Sequence, residues 1–218
     1  LQALPARGPG DCRFLRCGPH HHSVILFKSA TPGLKRIGFE MESPGALEAT
    51  YRRHMDAMAP VFARMFRKAP QSPHGVRRLP RELEAGMTFG YYQTPEEVGA
   101  EGIYYFSGNG IPERMQMNAA ALIFHELVPG HHVHLSRQQE NLALPEIRRN
   151  LHVSTAFNEG WAEYASGLGE EAGLFGDPYD YYGFLSHLRF VAQRLVVDTG
   201  LNALGWSLEQ AHAYMTAN

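Results

Sequence analysis

The hydrophobic and polar pattern divides the chain into an irregular opening stretch and a longer, mainly helical remainder. Residues 1–22 show no steady periodicity, and residues 1–28 are expected to form a poorly structured leader. Ser43 followed by Pro44 has the form of an N-cap and first helical residue, predicting a helix over 43–66 that Pro60 kinks or divides. Residues 69–80, rich in Pro, Arg and Gly, are expected to be an extended connector. Two aromatic runs, 87–92 and 103–106, predict short strands that pair through the loop between them.

Helix dominates from Pro112 onward. Residues 119–124 are apolar on all sides, which predicts a buried helix ending at His125 and Glu126. A further helix is expected over 156–168. Asp177-Pro178 opens the clearest one, with Tyr181, Phe184, Leu185, Leu188, Val191, Ala192 and Leu195 as its apolar face and Gly200 as its stop. Ser207 and Gln210 form a capping box for a last helix over 208–218. That helix meets no C-cap, so a piece of a larger domain is expected. The fold class is mainly α (α+β) with a small antiparallel sheet, and residues 29–218 form one domain.

Composition narrows the functional classes. A net charge of −2 without a basic run gives no footprint for nucleic acid. No apolar stretch reaches the ~18 residues that span a bilayer, and the run at 23–27 is too short and poorly flanked for a signal peptide. Because Leu1 stands where a Met would, the native N-terminus is expected to be missing, and the compartment stays open. Cys12 and Cys17 are too few for a disulfide scaffold or a four-cysteine zinc site. The run His20-His21-His22 is expected to be an exposed loop.

The chemistry concentrates in His125-Glu126-Leu127-Val128-Pro129-Gly130-His131-His132. In the H-E-x-x-H motif two histidines one turn apart hold Zn²⁺ and the glutamate is general base. Here Pro129 occupies the second ligand position. At about 100° per residue, His132 returns to within about 20° of the face of His125, whereas His131 lies about 120° away. An ideal helix favours His132. Proline and glycine, however, bend or bulge this helix, and a bulge would turn His131 inward. Spacing alone leaves both open.

A second segment, Asn158-Glu159-Gly160-Trp161-Ala162-Glu163-Tyr164, resembles the N-E-G-[FW]-A-x-Y segment of gluzincin aminopeptidases, whose glutamate is the third zinc ligand. Three protein ligands plus an open water position suit hydrolytic zinc. Taken with Arg194 to Gly200, Trp206, and Glu209 to Ala211, the segments resemble the domain-of-unknown-function 885 family, zinc metallopeptidases related to gluzincins. The resemblance covers roughly residues 91–218. It implies a zincin-like domain, here C-terminally incomplete, in which Pro-Gly is a family feature and His131 is the second ligand, with His132 as the alternative. Two departures bear on turnover. Asn202 stands where the family has a histidine, and the family continues beyond this chain. One lost oxyanion donor lowers kcat ~10²–10³-fold, so the resemblance carries metal binding further than turnover.

The resemblance thus predicts peptide hydrolysis with Zn²⁺ held by His125, His131 and Glu159, and Glu126 as general base. Tyr104 or Tyr105 is the candidate partner of substrate or oxyanion, and the strand over 102–107 the candidate for pairing with an extended peptide. Glu163 shares the face of Glu159. Asp180, His187, Arg194 and Asp198 fall along one stripe. There His187 is either a donor to a ligand or, as preferred, a satisfied boundary histidine, and Arg194 with Asp198 is expected to form an ion pair. Two rivals are a catalytically silent zinc-binding relative and a di-iron carboxylate bundle suggested by Glu209 and His212. The bundle needs a second E-x-x-H, which the chain lacks.

Overall fold

The computed structural model describes residues 2–8, 12–16, 24–27, 43–110, 116–151 and 154–217. The chain divides into two units, Leu1–Ile37 and Gly38–Asn218. In the first, β1 (Gln2–Gly8), β2 (Cys12–Arg16) and β3 (Val24–Phe27) make an antiparallel sheet in that order. These strands fall within the stretch read as a leader, and the boundary between the two units lies at 37/38. The Val24-Ile25-Leu26-Phe27 run is strongly β-prone. Cys17 and the His20–His22 run lie outside the described residues.

The second unit is mainly helical with a small sheet. Its helix α1 (Pro44–Met65) starts at the Ser43 N-cap, whose hydroxyl accepts from the Ala46 amide at 3.2 Å. It runs unbroken through Pro60 instead of dividing there. β4 (His74–Arg78) lies in the expected connector. It escaped notice because it is short, with a glycine and two arginines among its five residues. After α2 (Arg81–Glu84) come β5 (Gly90–Gln93) and β6 (Gly102–Phe106). Their order is β4-β6-β5, with β5 antiparallel and β4 parallel to β6. The sheet is therefore mixed rather than antiparallel. Because β6 is central, with both edges paired, it has none left for a peptide. A free edge belongs to β5 or β4.

The remaining helices are α3 (Ala119–Glu126), α4 (His131–Gln139), α5 (Glu146–Asn150), α6 (Thr155–Glu171), α7 (Pro178–Ala203) and α8 (Leu208–Ala217). The core lies between α1, α3 and the sheet, around Met58, Val76, Tyr104, Phe106, Ile123 and Phe124. α3 is buried almost all round, as its pattern requires. The Ser166 hydroxyl ties α6 to it through the Ala121 carbonyl at 2.9 Å. α7 touches the turn before α3 at Gly183, where any Cβ would collide with the Met117 carbonyl.

Of the apolar face expected for α7, Phe184 is buried, while Leu185, Leu188 and Leu195 are exposed. Those three have no covering element among the described residues. Gly200 does not end α7. It sits against the Trp206 ring, and the reversal comes at Gly205 with φ +70. The capping box of α8 forms as expected, Ser207 N to Gln210 Oε1 at 2.8 Å and Gln210 N to Ser207 Oγ at 3.1 Å. Among the described residues no helix is long and apolar enough to cross a membrane.

Candidate metal centre

The sequence His125–His132 builds two helices with a widened turn between them. Pro129 supplies no N–H, so the α-helical ladder stops after the Leu127 amide bonds to the Ile123 carbonyl at 2.9 Å. The next amides reach further back, Gly130 N to Phe124 O at 2.9 Å and His132 N to Leu127 O at 3.1 Å. The Val128–Pro129 peptide is cis. Residue 130 must be glycine because a Cβ would land on the His125 carbonyl. The carbonyls of Pro129 and Gly130 both accept from the Trp161 indole N–H, at 3.1 and 3.2 Å. The tryptophan of the second motif thus braces the insertion in the first.

This turn points the two histidines in different directions. His131 Nε2 faces Glu159 Oε1 at 3.6 Å, and His125 Nε2 faces Glu159 Oε2 at 3.4 Å. The two rings meet edge to face, 4.8 Å apart. His132 points the other way and is fully buried. Its Nε2–H donates to the Ser72 carbonyl at 3.0 Å, and its Nδ1 accepts from the Tyr92 hydroxyl at 2.8 Å. Burial, with His74 beside it, lowers its pKa to about 4, against a partial rise from Ser72. A neutral ring with both nitrogens engaged is a structural part.

Among the described residues, two groups bring their donor atoms within 4.8 Å of one another: His125–His131–Glu159 and His125–Glu163–His187. The first has the donor set that could hold a metal ion. Donors about 2.0–2.1 Å from a tetrahedral zinc stand roughly 3.3–3.4 Å from each other. The observed 3.4 and 3.6 Å, each to a different oxygen of Glu159, lie beyond hydrogen bonds of 2.7–3.2 Å. Two imidazoles and a carboxylate also suit the metal, and the Glu159 side chain, 54% exposed, leaves one side open to solvent.

The second group stands behind the first. His125 Nδ1 is buried and 3.2 Å from Glu163 Oε1, at ion-pair distance without full hydrogen-bond alignment. His187 Nε2 lies 3.0 Å from both oxygens of Glu163. Glu159 is held well below the usual carboxylate range by His125 and then His131. Burial works to raise Glu163, but His125 and His187 outweigh it and bring it to about 2. Burial likewise opposes a charge on His125, yet Glu159, Glu163 and Glu126 raise it to about 9. Burial pushes Glu126 up. His125 and His131 pull it back, and Glu159 and Glu163 add to the rise.

Other expected site residues are elsewhere. Tyr104 is fully buried in the core, edge-on to Tyr51 at 5.7 Å, while Tyr105, on the opposite face of β6, packs on Tyr91. The tyrosine at the centre is Tyr92, its ring stacked 6.4 Å from His131. Strand register could have found it, since Tyr92 pairs with Tyr104 and shares its face. Arg194 and Asp198 are exposed and form no ion pair with each other. Arg194 lies over the Phe190 ring, and Asp198 accepts from the Asn202 amide at 3.0 Å. Asp180 is 3.6 Å from His54 instead. Glu209 and His212 are exposed on α8, apart from any facing carboxylates, so the di-iron arrangement has no counterpart among the described residues.

The chain belongs to a family described as bacterial protein of unknown function (DUF885), which matches residues 37–218. Among solved structures it is similar to one described as the putative lipoprotein from Colwellia psychrerythraea, with a TM-score of 0.74 and 31% sequence identity. That likeness covers 79% of this chain and 30% of the other, so the chain spans under a third of its solved relative. No curated protein matches it.

Proposed function

We propose that this chain forms the zinc centre of a gluzincin-like metallopeptidase, with His125, His131 and Glu159 as ligands and a peptide as substrate. The observation that carries this reading is the convergence of His125 Nε2 and His131 Nε2 on the two oxygens of Glu159. Zinc bound there supplies a Lewis acid that brings the pKa of water toward ~7.

The protein's own groups do the rest. Glu126 follows the first ligand directly, in the field of all three, and burial raises its pKa toward the working range of a general base. It takes the proton of the attacking water and hands it to the leaving amine. Glu163 faces the rear nitrogen of His125, which keeps the proton on Nδ1 and Nε2 free for the metal. Among the described residues β5, which carries Tyr92, is an edge strand, and an extended peptide can add to it.

The test is zinc content and hydrolysis of a quenched peptide library. Wild type should bind one zinc and cleave, and Glu126→Gln should keep the zinc and lose at least ~10²-fold in rate. Zinc without turnover in wild type, unchanged by Glu126→Gln, would mark a silent relative. No zinc uptake would remove the reading altogether.

A further inference from the structure

Glu163 faces His125 from α6, but one acceptor at 3.2 Å on a side chain 26% exposed does not fix an orientation. The carboxylate could turn to solvent. A third helix prevents this. His187 on α7 places Nε2 at 3.0 Å from both Glu163 oxygens, while Oε1 also lies 3.2 Å from His125 Nδ1. Its ring also lies 6.3 Å from that of His125.

The approach of α7 is specific at this point. Gly183, one turn earlier on the same face, lets the helix touch the Met117 carbonyl, and Phe184 enters the core beside it. Over the next two turns α7 is largely exposed. The polar contact of His187 is with a carboxylate that also faces His125.

We propose that His187 is a positioning residue for the metal centre, holding Glu163 so that His125 presents Nε2 to the cation. This rests on the zinc reading above. It adds that the centre depends on α7, although α7 supplies no ligand.

The experiment measures Zn²⁺ affinity of the metal-free full chain by competition with a chromophoric chelator, alongside its thermal unfolding. The set is wild type, His125→Ala, His187→Ala, His187→Gln, Glu163→Gln and the His187→Ala/Glu163→Gln double variant. His187→Ala should weaken affinity ~10–100-fold, as loss of a partner behind a ligand does elsewhere. His187→Gln should restore most of it, because its carboxamide N–H can still donate to Glu163. The double variant should bind no more weakly than Glu163→Gln alone, since His187 acts through Glu163. Wild-type affinity in His187→Ala would overturn the inference. So would losses that multiply in the double variant, or a weakened His187→Ala that unfolds earlier and is not rescued by glutamine. Uptake by wild type and its loss in His125→Ala test the zinc reading separately. If neither protein takes up zinc, both fall.

Discussion

The indole nitrogen of Trp161 lies 3.1 Å from the carbonyl oxygen of Pro129, so the residue two places after the third candidate ligand holds the turn that presents the second. The same N–H reaches the Gly130 carbonyl at 3.2 Å. Trp161→Phe keeps most of the ring and removes the donor. It should cost about 1–2 kcal/mol in chemical denaturation and weaken zinc binding, whereas a surface change such as Arg189→Gln should do neither.

Gly130 has no room for a methyl group. Gly130→Ala drives a Cβ into the His125 carbonyl, and the turn can accommodate it only by moving His131. A loss of about 3 kcal/mol or more is expected by denaturant titration, together with loss of zinc uptake.

The adjacent histidines should separate cleanly. His131→Ala removes a candidate ligand whose ring is buried beside His125 and should abolish zinc binding at a stability cost of about 1 kcal/mol. His132→Ala leaves the Tyr92 hydroxyl and Ser72 carbonyl without their partner, which should cost about 2–4 kcal/mol. Paired denaturation and zinc titrations on the two variants read both effects.

His54 gives a pH dependence away from the centre. Burial, helped by Arg53 and partly opposed by Asp177, lowers its pKa to about 4. The unfolded chain takes up this proton near pH 6.5 and the folded chain does not until about pH 4. The stabilisation is complete above pH 6.5, falls as pH drops toward 4, and changes no further below it. The span is at most about 3 kcal/mol. Metal-free wild type compared with His54→Gln across that window should show the difference shrinking as pH falls.

What could be read from the chain was local. The Ser43 cap, the Ser207–Gln210 box and the all-apolar stretch before His125 each depend on residues within a turn or two, and each formed as expected. The orientation of His131 toward Glu159, with His132 turned away, was not local. It depends on hydrogen bonds back to Phe124 and Leu127 and on a tryptophan from another helix. Tyr92 was missed for a similar reason. Aromatics on neighbouring strands look alike until the register shows that Tyr92 shares the buried face with Tyr104 while Tyr105 turns away. The parallel strand β4 carries too little apolar sequence to announce itself. The face of α7 was misjudged because an apolar stripe records a need for cover without naming what provides it.

Zinc K-edge X-ray absorption on the zinc-loaded chain tests the central claim most directly. Two imidazole nitrogens and carboxylate or water oxygens at about 2.0–2.1 Å are expected, staying at two imidazoles in His132→Ala, while His131→Ala should carry no bound zinc to measure. An unchanged imidazole count in His131→Ala, or a loss in His132→Ala from a protein that is still folded, would contradict it.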